Sequence, residues 1–223
     1  MTDLRYERQI MIFGKSGQAK LARARIAIIG CGGLGSMASQ YLAMSGIGFL
    51  RLIDSDKVED SNLNRQFFSV KDLGKPKSLC LKDRLLSLNP DVKMEAIKEK
   101  LSEKNCRELI RDCDIILDCL DNLQTRLVLS DACKSLGKPL VHGSIHGLSG
   151  QQITLLPGSG YLRKILGGKK QPAGKIPVLG PAPGFIGSLQ ALEAIKLITG
   201  FGKPNTRLLI FDGESNRAEF VKV

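Results

Sequence analysis

The segment Arg25 to Gly30 reads Arg-Ile-Ala-Ile-Ile-Gly, an apolar β-branched run that ends in glycine, and Gly33 to Ser45 then reads as a helix of small and apolar residues. A strand that turns through glycine into a helix constrains the fold more than any other feature of the chain. Such a unit commits the next strand to lie parallel to the first, with the helix packed on one face of the sheet.

The same alternation recurs. A strand at Phe49 to Asp54 is followed by a helix from about Lys77 to Leu88, a strand at Val92 to Ile97, and a helix near Glu103 to Arg111. Then come a strand at Ile115 to Cys119, a helix from about Leu123 to Leu136, and strands at Pro139 to His142 and Gln151 to Leu156. From Pro157 to Pro183 the composition shifts to Gly, Pro and Lys, which predicts a long crossover loop and not a domain boundary. A helix from about Gly187 to Ile198 follows, with Leu189, Leu192 and Ile195 on its buried side, and strands at Arg207 to Phe211 and Ala218 to Val221 close the chain. The expected fold is α/β: a Rossmann-like, doubly wound, mostly parallel sheet with antiparallel edge strands near the C-terminus.

With 223 residues, 43% hydrophobic and 25% charged, the chain suits one domain over residues 1–223, with residues 1–24 as an N-terminal arm. Met1 to Ile12 carries Asp3, Arg5, Glu7 and Arg8 without an apolar core, so no secretory signal is expected and the cytoplasm is the expected compartment. No run of eighteen apolar residues occurs, which argues against a membrane span. The six cysteines contain no CxxC pair, so neither zinc knuckle nor disulfide is expected. A net charge of +11 favours anionic company. With no Trp and only 5% aromatic residues, stacking platforms for single strands are poor, and nucleic acid is the lesser reading.

The turn Gly30-Cys31-Gly32-Gly33-Leu34-Gly35 matches GxGxxG between strand and helix, where backbone amides hold phosphate. Asp54, ending the second strand, lies where a ribose-binding acid belongs. These two features suit a nicotinamide-dependent oxidoreductase equally well, and glycines for tight packing alone would give the same letters. The stretch from Asp54 to Lys77 separates the readings: Asp54-Ser55-Asp56, Ser61 to Gln66 and Gly74-Lys75-Pro76-Lys77. Transfer at phosphorus spreads negative charge over the attacked phosphate and its leaving group, and Arg65 and Lys77 are cations suited to hold it. At a helix start a lysine meets the positive end of the macrodipole, at a cost of about 0.3–1 kcal/mol that a bound polyphosphate would reverse. Solvated lysines tolerating that cost are the plainer alternative. Asp118-Cys119-Leu120-Asp121-Asn122 follows a central strand. There, Asp121 suits Mg²⁺ beside substrate phosphates, while either Asp121 or Asn122 suits an N-cap.

Together these segments resemble the sulfur-carrier-protein adenylyltransferases of the ThiF/MoeB/HesA type, within the ubiquitin-activating superfamily. Arg5-Tyr6-Glu7-Arg8-Gln9, the GCGGLG loop, Asp54-x-Asp56, Ser61 to Gln66, Gly74 to Lys77, Asp118 to Asn122 with Arg126, and Gly187 to Lys196 carry the resemblance over essentially the whole chain. It implies that Gly32 and Gly33 lie against the phosphates of ATP, that Asp54 binds the ribose with Asp56 close by, and that Asn62, Arg65, Gln66 and Lys77 surround the triphosphate. Asp121 would hold Mg²⁺, with Asn122 beside it, and Arg8 would enter from the partner of a homodimer as an arginine finger. The implied substrate is a ubiquitin-like carrier whose Gly-Gly carboxylate attacks the α-phosphate, with a sulfur donor protein acting afterwards. Such a carboxylate is already ionised, so the chemistry rests on positioning and electrostatics.

Relatives often carry two CxxC pairs for zinc, or a crossover-loop cysteine. Here Gly160-Tyr161-Leu162-Arg163 stands where the first pair would fall, so no zinc and no thioester on this subunit are expected. Cys133 reads as packing. The basic crossover loop, with Arg163, Lys164, Lys169, Lys170 and Lys175, either folds over an anionic tail or stays solvated. His142 and His146, on what reads as a loop, either line the groove or are structural or solvated. An adenylating enzyme for modified tRNA and an inactive half of a heterodimeric activating enzyme complete the alternatives.

Overall fold

A computed structural model describes residues 4–159, 162–166, 168, 174 and 176–223. Lys169, Lys170, Lys175, Gly160 and Tyr161 lie outside the described residues, and with them the question of what the basic crossover loop covers.

One eight-stranded sheet organises the chain. Strands β1 (Arg25–Ile29), β2 (Phe49–Ile53), β3 (Lys93–Ile97), β4 (Ile115–Asp118) and β5 (Leu140–His146) pair in parallel. Strands β6 (Ser149–Leu155), β7 (Leu208–Asp212) and β8 (Arg217–Val221) extend it antiparallel, in the order β3-β2-β1-β4-β5-β6-β7-β8. This is the mostly parallel sheet with an antiparallel C-terminal edge that the βα alternation predicts.

Successive side chains of a strand point to opposite faces, and β1 supplies a core on each. Ile26 and Ile28 pack with Leu50, Leu52 and Leu117 under helices α1 (Glu7–Leu21), α2 (Gly33–Met44), α3 (Lys77–Leu88) and α7 (Pro181–Thr199). Ala27 and Ile29 pack with Ile53, Ile116 and Leu140 under α4 (Cys106–Ile110), α5 (Leu123–Leu136) and α6 (Leu162–Leu166). Each fully buried Ile or Leu here contributes about 1.5–3 kcal/mol relative to exposure. None of the described helices is long and apolar enough to cross a membrane.

Four expectations need correction. The N-terminal arm, residues 1–24, holds a 3-10 turn at Leu4–Tyr6 and then α1, kinked at Gly14, whose φ of 71° breaks the helical path. Only Gly17 and Leu21 of α1 are fully buried, with Phe13 half-buried against the core, and Gly14 and Gly17 interrupt the helical pattern that these positions share. The helix expected from Gly187 begins at Pro181 instead, and its buried face is formed by Ile186, Gly187, Gln190, Ala191 and Ala194, leaving Leu189 and Ile195 half-buried and Leu192 exposed. The first turn of a helix needs no amide donors, so Pro181 and Pro183 fit there although they read as loop. The crossover segment also contains α6. Finally, β5 does not stop at His142: it runs to His146 and turns through Gly147 and Leu148 into β6, so His142 and His146 stand on a strand.

Candidate functional site

A cleft of about 880 Å³ opens at the carboxyl ends of β1, β2 and β4, the position where open α/β sheets hold ligands. Its glycine wall is built by backbone. Gly30 has φ 95°, and a Cβ there would meet the Cys119 carbonyl oxygen at 2.7 Å. A Cβ on Gly35 would stand 1.9 Å from the Gly30 carbonyl oxygen, so the first turn of α2 lies directly on the strand end. Gly33 is held against Pro183 of α7. Gly32 differs: the nearest atom a Cβ would meet is Gln66 Nε2, at 3.7 Å. The fold itself therefore does not demand glycine at 32, and the bare backbone leaves room for a ligand beside the free amides that open α2.

Asp54, just past β2, joins the two sides of the cleft. Its Oδ2 accepts from Cys31 N at 2.7 Å and its Oδ1 from Asp56 N at 2.8 Å. Burial pushes its carboxyl above the ordinary value, against those hydrogen bonds and the nearby charge of Lys77. Both oxygens expected on the ribose thus already accept one backbone hydrogen bond each, with one lone pair apiece left over.

The cationic wall is built from side chains. Arg65 Nη1 donates to the Ser61 carbonyl oxygen at 2.6 Å and to Asn64 Oδ1 at 2.9 Å. Asn62 is buried, and its Oδ1 accepts from Glu59 N at 3.0 Å in a reciprocal cap that shapes this 3-10 turn. Gln66 lies against the cleft, and its Oε1 is buried without a partner among the described residues. A carboxamide there offers oxygen or, after a half-turn, nitrogen to whatever enters.

Lys77 and Lys75 part company. Lys75 is exposed, whereas Lys77, the first residue of α3, is buried and donates to Asp56 Oδ2 at 3.0 Å. Lys77 is not a solvated lysine, then; it stands behind the cleft wall, with Asp56 between it and the opening. That carboxylate offsets the unfavourable dipole of the helix start.

On the far side Asp121 is exposed at the cleft rim, and Asn122 N-caps α5, its Oδ1 accepting from Thr125 N at 2.9 Å. Among the described residues no three His, Cys, Asp or Glu side chains cluster to hold a metal ion. A single carboxylate on a phosphate-binding cleft is nevertheless the donor set Mg²⁺ uses when the substrate's own oxygens complete its shell.

Beneath the floor lies a group that the sequence did not assemble. Asp118 is fully buried, with Oδ2 at 2.7 Å from His142 Nδ1 and Oδ1 accepting from Leu120 N at 3.1 Å. Burial opposes its ionisation, but Arg126 and the His142 hydrogen bond outweigh burial and hold its pKa below the ordinary value. Burial in turn keeps His142 below its ordinary value despite Asp118. A neutral imidazole facing a carboxylate carries its proton on Nδ1, which leaves Nε2 buried and unpartnered among the described residues. Arg126 donates to the Leu120 carbonyl oxygen and so ties this buried charge to the loop that presents Asp121. His142 is thus a structural residue of the floor, whereas His146 is exposed and does reach the cleft.

Arg8 is not on this cleft. It sits exposed on α1, and no hydrogen bond or ion pair joins it to any described residue. All six cysteines are buried thiols, and burial pushes the Cys133 thiol up, away from nucleophilic use.

The ThiF family profile matches residues 6–223 of the chain. The sulfur carrier protein ThiS adenylyltransferase of Escherichia coli is 40% identical over 96% of this chain and 88% of its own length. The sulfur carrier protein adenylyltransferase of Thermus thermophilus is also 40% identical, over 93% of this chain and 82% of its own. The crystal structure of E. coli MccB superposes with a TM-score of 0.89 over 99% of this chain and 69% of that one; at 22% identity the likeness is one of fold.

Proposed function

Because the chain belongs to the ThiF family, we propose that it adenylates the C-terminal Gly-Gly carboxylate of a small ubiquitin-like sulfur-carrier protein with ATP. The observation that carries the reading is one cleft that gathers the Gly32 and Gly33 backbone, Asp54, Asn62, Arg65, Gln66 and Asp121. That set offers amides and a cation to a polyphosphate and carboxylates to a ribose and a magnesium ion.

In this reading the carrier's carboxylate oxygen attacks the α-phosphorus of ATP, the bond to the bridging oxygen breaks, and pyrophosphate leaves. No general base is required, because the nucleophile is ionised at neutral pH. The amides at the start of α2 hold phosphate oxygens, and Arg65 exchanges its contacts with Ser61 and Asn64 for the leaving pyrophosphate. Lys77 reaches the phosphates only by leaving Asp56, a swap of one anion for another. Mg²⁺, held by Asp121 and phosphate oxygens, would supply further neutralisation of the leaving group's charge.

Arg8 is exposed and does not line its own cleft, which supports a homodimer in which it serves the partner's site. The exposed Leu4, Met11 and Ile12 lie near Arg8 along the same segment and suit a covered face. We further take residues 1–223 as one adenylation domain, working in the cytoplasm with a sulfur donor protein. Thiamin and molybdenum cofactor synthesis are the pathways this chemistry serves.

The test is pyrophosphate release from ATP and Mg²⁺ in the presence of ubiquitin-like carriers, intact or lacking the terminal Gly-Gly. Release only with the intact tail, together with an adenylated carrier by mass spectrometry, is expected. ATP binding without release for any carrier would defeat the assignment.

A further inference from the structure

The five residues Arg5-Tyr6-Glu7-Arg8-Gln9 divide in space into an anchored group and a presented group. Asn89, the residue that ends α3, is fully buried and holds the first two of them. Its Oδ1 accepts from Arg5 Nη1 at 2.6 Å and from Asp91 N at 3.3 Å. Its Nδ2 donates to Tyr6 Oη at 2.7 Å and to the Ala43 carbonyl oxygen at 2.7 Å. The Tyr6 ring lies so close to Gly46 that a Cβ there would stand 2.6 Å from Cζ. Gln9 completes the grip: its Nε2 donates to the Ser45 carbonyl oxygen at 2.8 Å and to Gln18 Oε1 at 2.6 Å.

This anchorage exceeds what the core requires. Chain ends ordinarily fray, and ordering one costs conformational entropy. Yet between Leu4 and Ser16 no residue is fully buried and only Phe13 packs against the core, so core coverage does not call for the hydrogen bonds made by Arg5, Tyr6 and Gln9. What the hydrogen bonds fix is its orientation, and with it the direction of Arg8, which is exposed near the outward Leu4, Met11 and Ile12.

We propose that Asn89 is a positioning residue for Arg8: through Arg5 and Tyr6 it sets the N-terminal segment so that Arg8 enters the cleft of a second copy of this chain. The inference rests on the adenylation reading given above and adds to it the device that aims the finger. Asn89 touches no substrate; it acts through the segment it holds. A near-attack geometry lost by about 1 Å costs on the order of 100-fold in rate, which sets the scale of the effect.

The experiment uses the full chain, its carrier and ATP. In Asn89→Ala the turnover number for pyrophosphate release is expected to fall about 10- to 100-fold with the KM for ATP little changed, and the double variant with Arg8→Ala should be no slower than Arg8→Ala alone. Subunit mixing gives a readout that a merely structural role would not move. Asn89→Ala subunits keep a sound cleft and lack a well-aimed finger, whereas Arg65→Ala subunits keep the finger and lack the cleft. Mixed one to one, random dimers should recover about a quarter of wild-type activity, while Asn89→Ala mixed with Arg8→Ala should recover nothing. Where Asn89→Ala does not fold, Tyr6→Phe, which deletes only the hydroxyl that Asn89 holds, takes its place in the same mixture. Unchanged turnover, or equal recovery in both mixtures, overturns the proposal. Wild-type protein that releases no pyrophosphate with any carrier would instead overturn the adenylation reading itself.

Discussion

The two walls of the cleft are finished to different degrees. The glycine wall is complete as it stands: Gly30, Gly33 and Gly35 are each pressed against chain, and the amides that open α2 already face the cavity. The cationic wall is made of side chains that bond to their own neighbours: Arg65 is turned to Ser61 and Asn64, and Lys77 to Asp56. Backbone can be organised in advance because it has no better partner to find. A lysine or arginine takes whatever acceptor lies in reach, the Asp56 carboxylate for Lys77 and the neutral oxygens of Ser61 and Asn64 for Arg65. Loading the cleft should therefore leave one wall where it is and exchange the partners of the other.

The sharpest way to break this comparison is Gly35→Ala. The new methyl would stand 1.9 Å from the Gly30 carbonyl oxygen, far inside van der Waals contact, so a loss of about 3 kcal/mol or more, or no folded protein at all, is expected in thermal unfolding followed by circular dichroism. Wild-type stability in that variant would mean that the wall is soft. Next in size, Arg65→Ala should slow carrier-dependent pyrophosphate release by about 100- to 1,000-fold while changing stability by less than about 0.5 kcal/mol. A parallel loss of stability would make Arg65 part of the scaffold instead.

Gly32→Ala sharpens the contrast within the glycine wall. Its neighbours leave space for a Cβ, so the fold should survive, while ATP affinity measured by calorimetry drops about tenfold because the backbone no longer approaches the phosphates. Unchanged affinity would show that the ligand does not lie there.

The smallest effect concerns Asp54, which bonds both walls. Burial raises its pKa, so the folded protein holds this proton more tightly than the unfolded chain does. The stability it contributes is fully present below the unfolded value of 3.8 and is lost as pH rises through the folded value. Urea unfolding of wild type against Asp54→Asn should thus shift in favour of wild type as pH falls from 7 towards 4. A difference that stays constant with pH would contradict the buried, proton-hungry carboxyl.

Much of this architecture was legible because its signals are local. The runs Lys77 to Leu88 and Leu123 to Leu136 form helices over those same residues, as α3 and α5, since helix periodicity and punctuation need no distant partner. The misreadings have a common cause in tertiary context. Gly143 breaks the alternation expected of a strand, yet β5 passes through it because any Cβ would meet Gln190 of α7 at 2.6 Å. Pro-Ala-Pro-Gly looks like loop until its two prolines fall in the first turn of a helix, where they cost nothing. At the site, motif order brought Asp54, Asn62, Arg65, Gln66 and Asp121 to one cleft. Which way each cation turns, however, depends on acceptors the sequence does not rank. Asn89 could have been suspected from Asn89-Pro90 closing a helical run, but its partners Arg5 and Tyr6 lie 84 and 83 residues earlier.

Helix α3 begins at Lys77 and ends where Asn89 grips the N-terminal segment. Its 12 residues span about 18 Å and behave as a strut that neither stretches nor buckles. One end lies behind the cleft wall and the other holds Arg5 and Tyr6. One helix thus joins two places that the sequence keeps far apart, the back of the cleft wall at Lys77 and the seat of the N-terminal segment at Asn89, so a change in its length would disturb both at once.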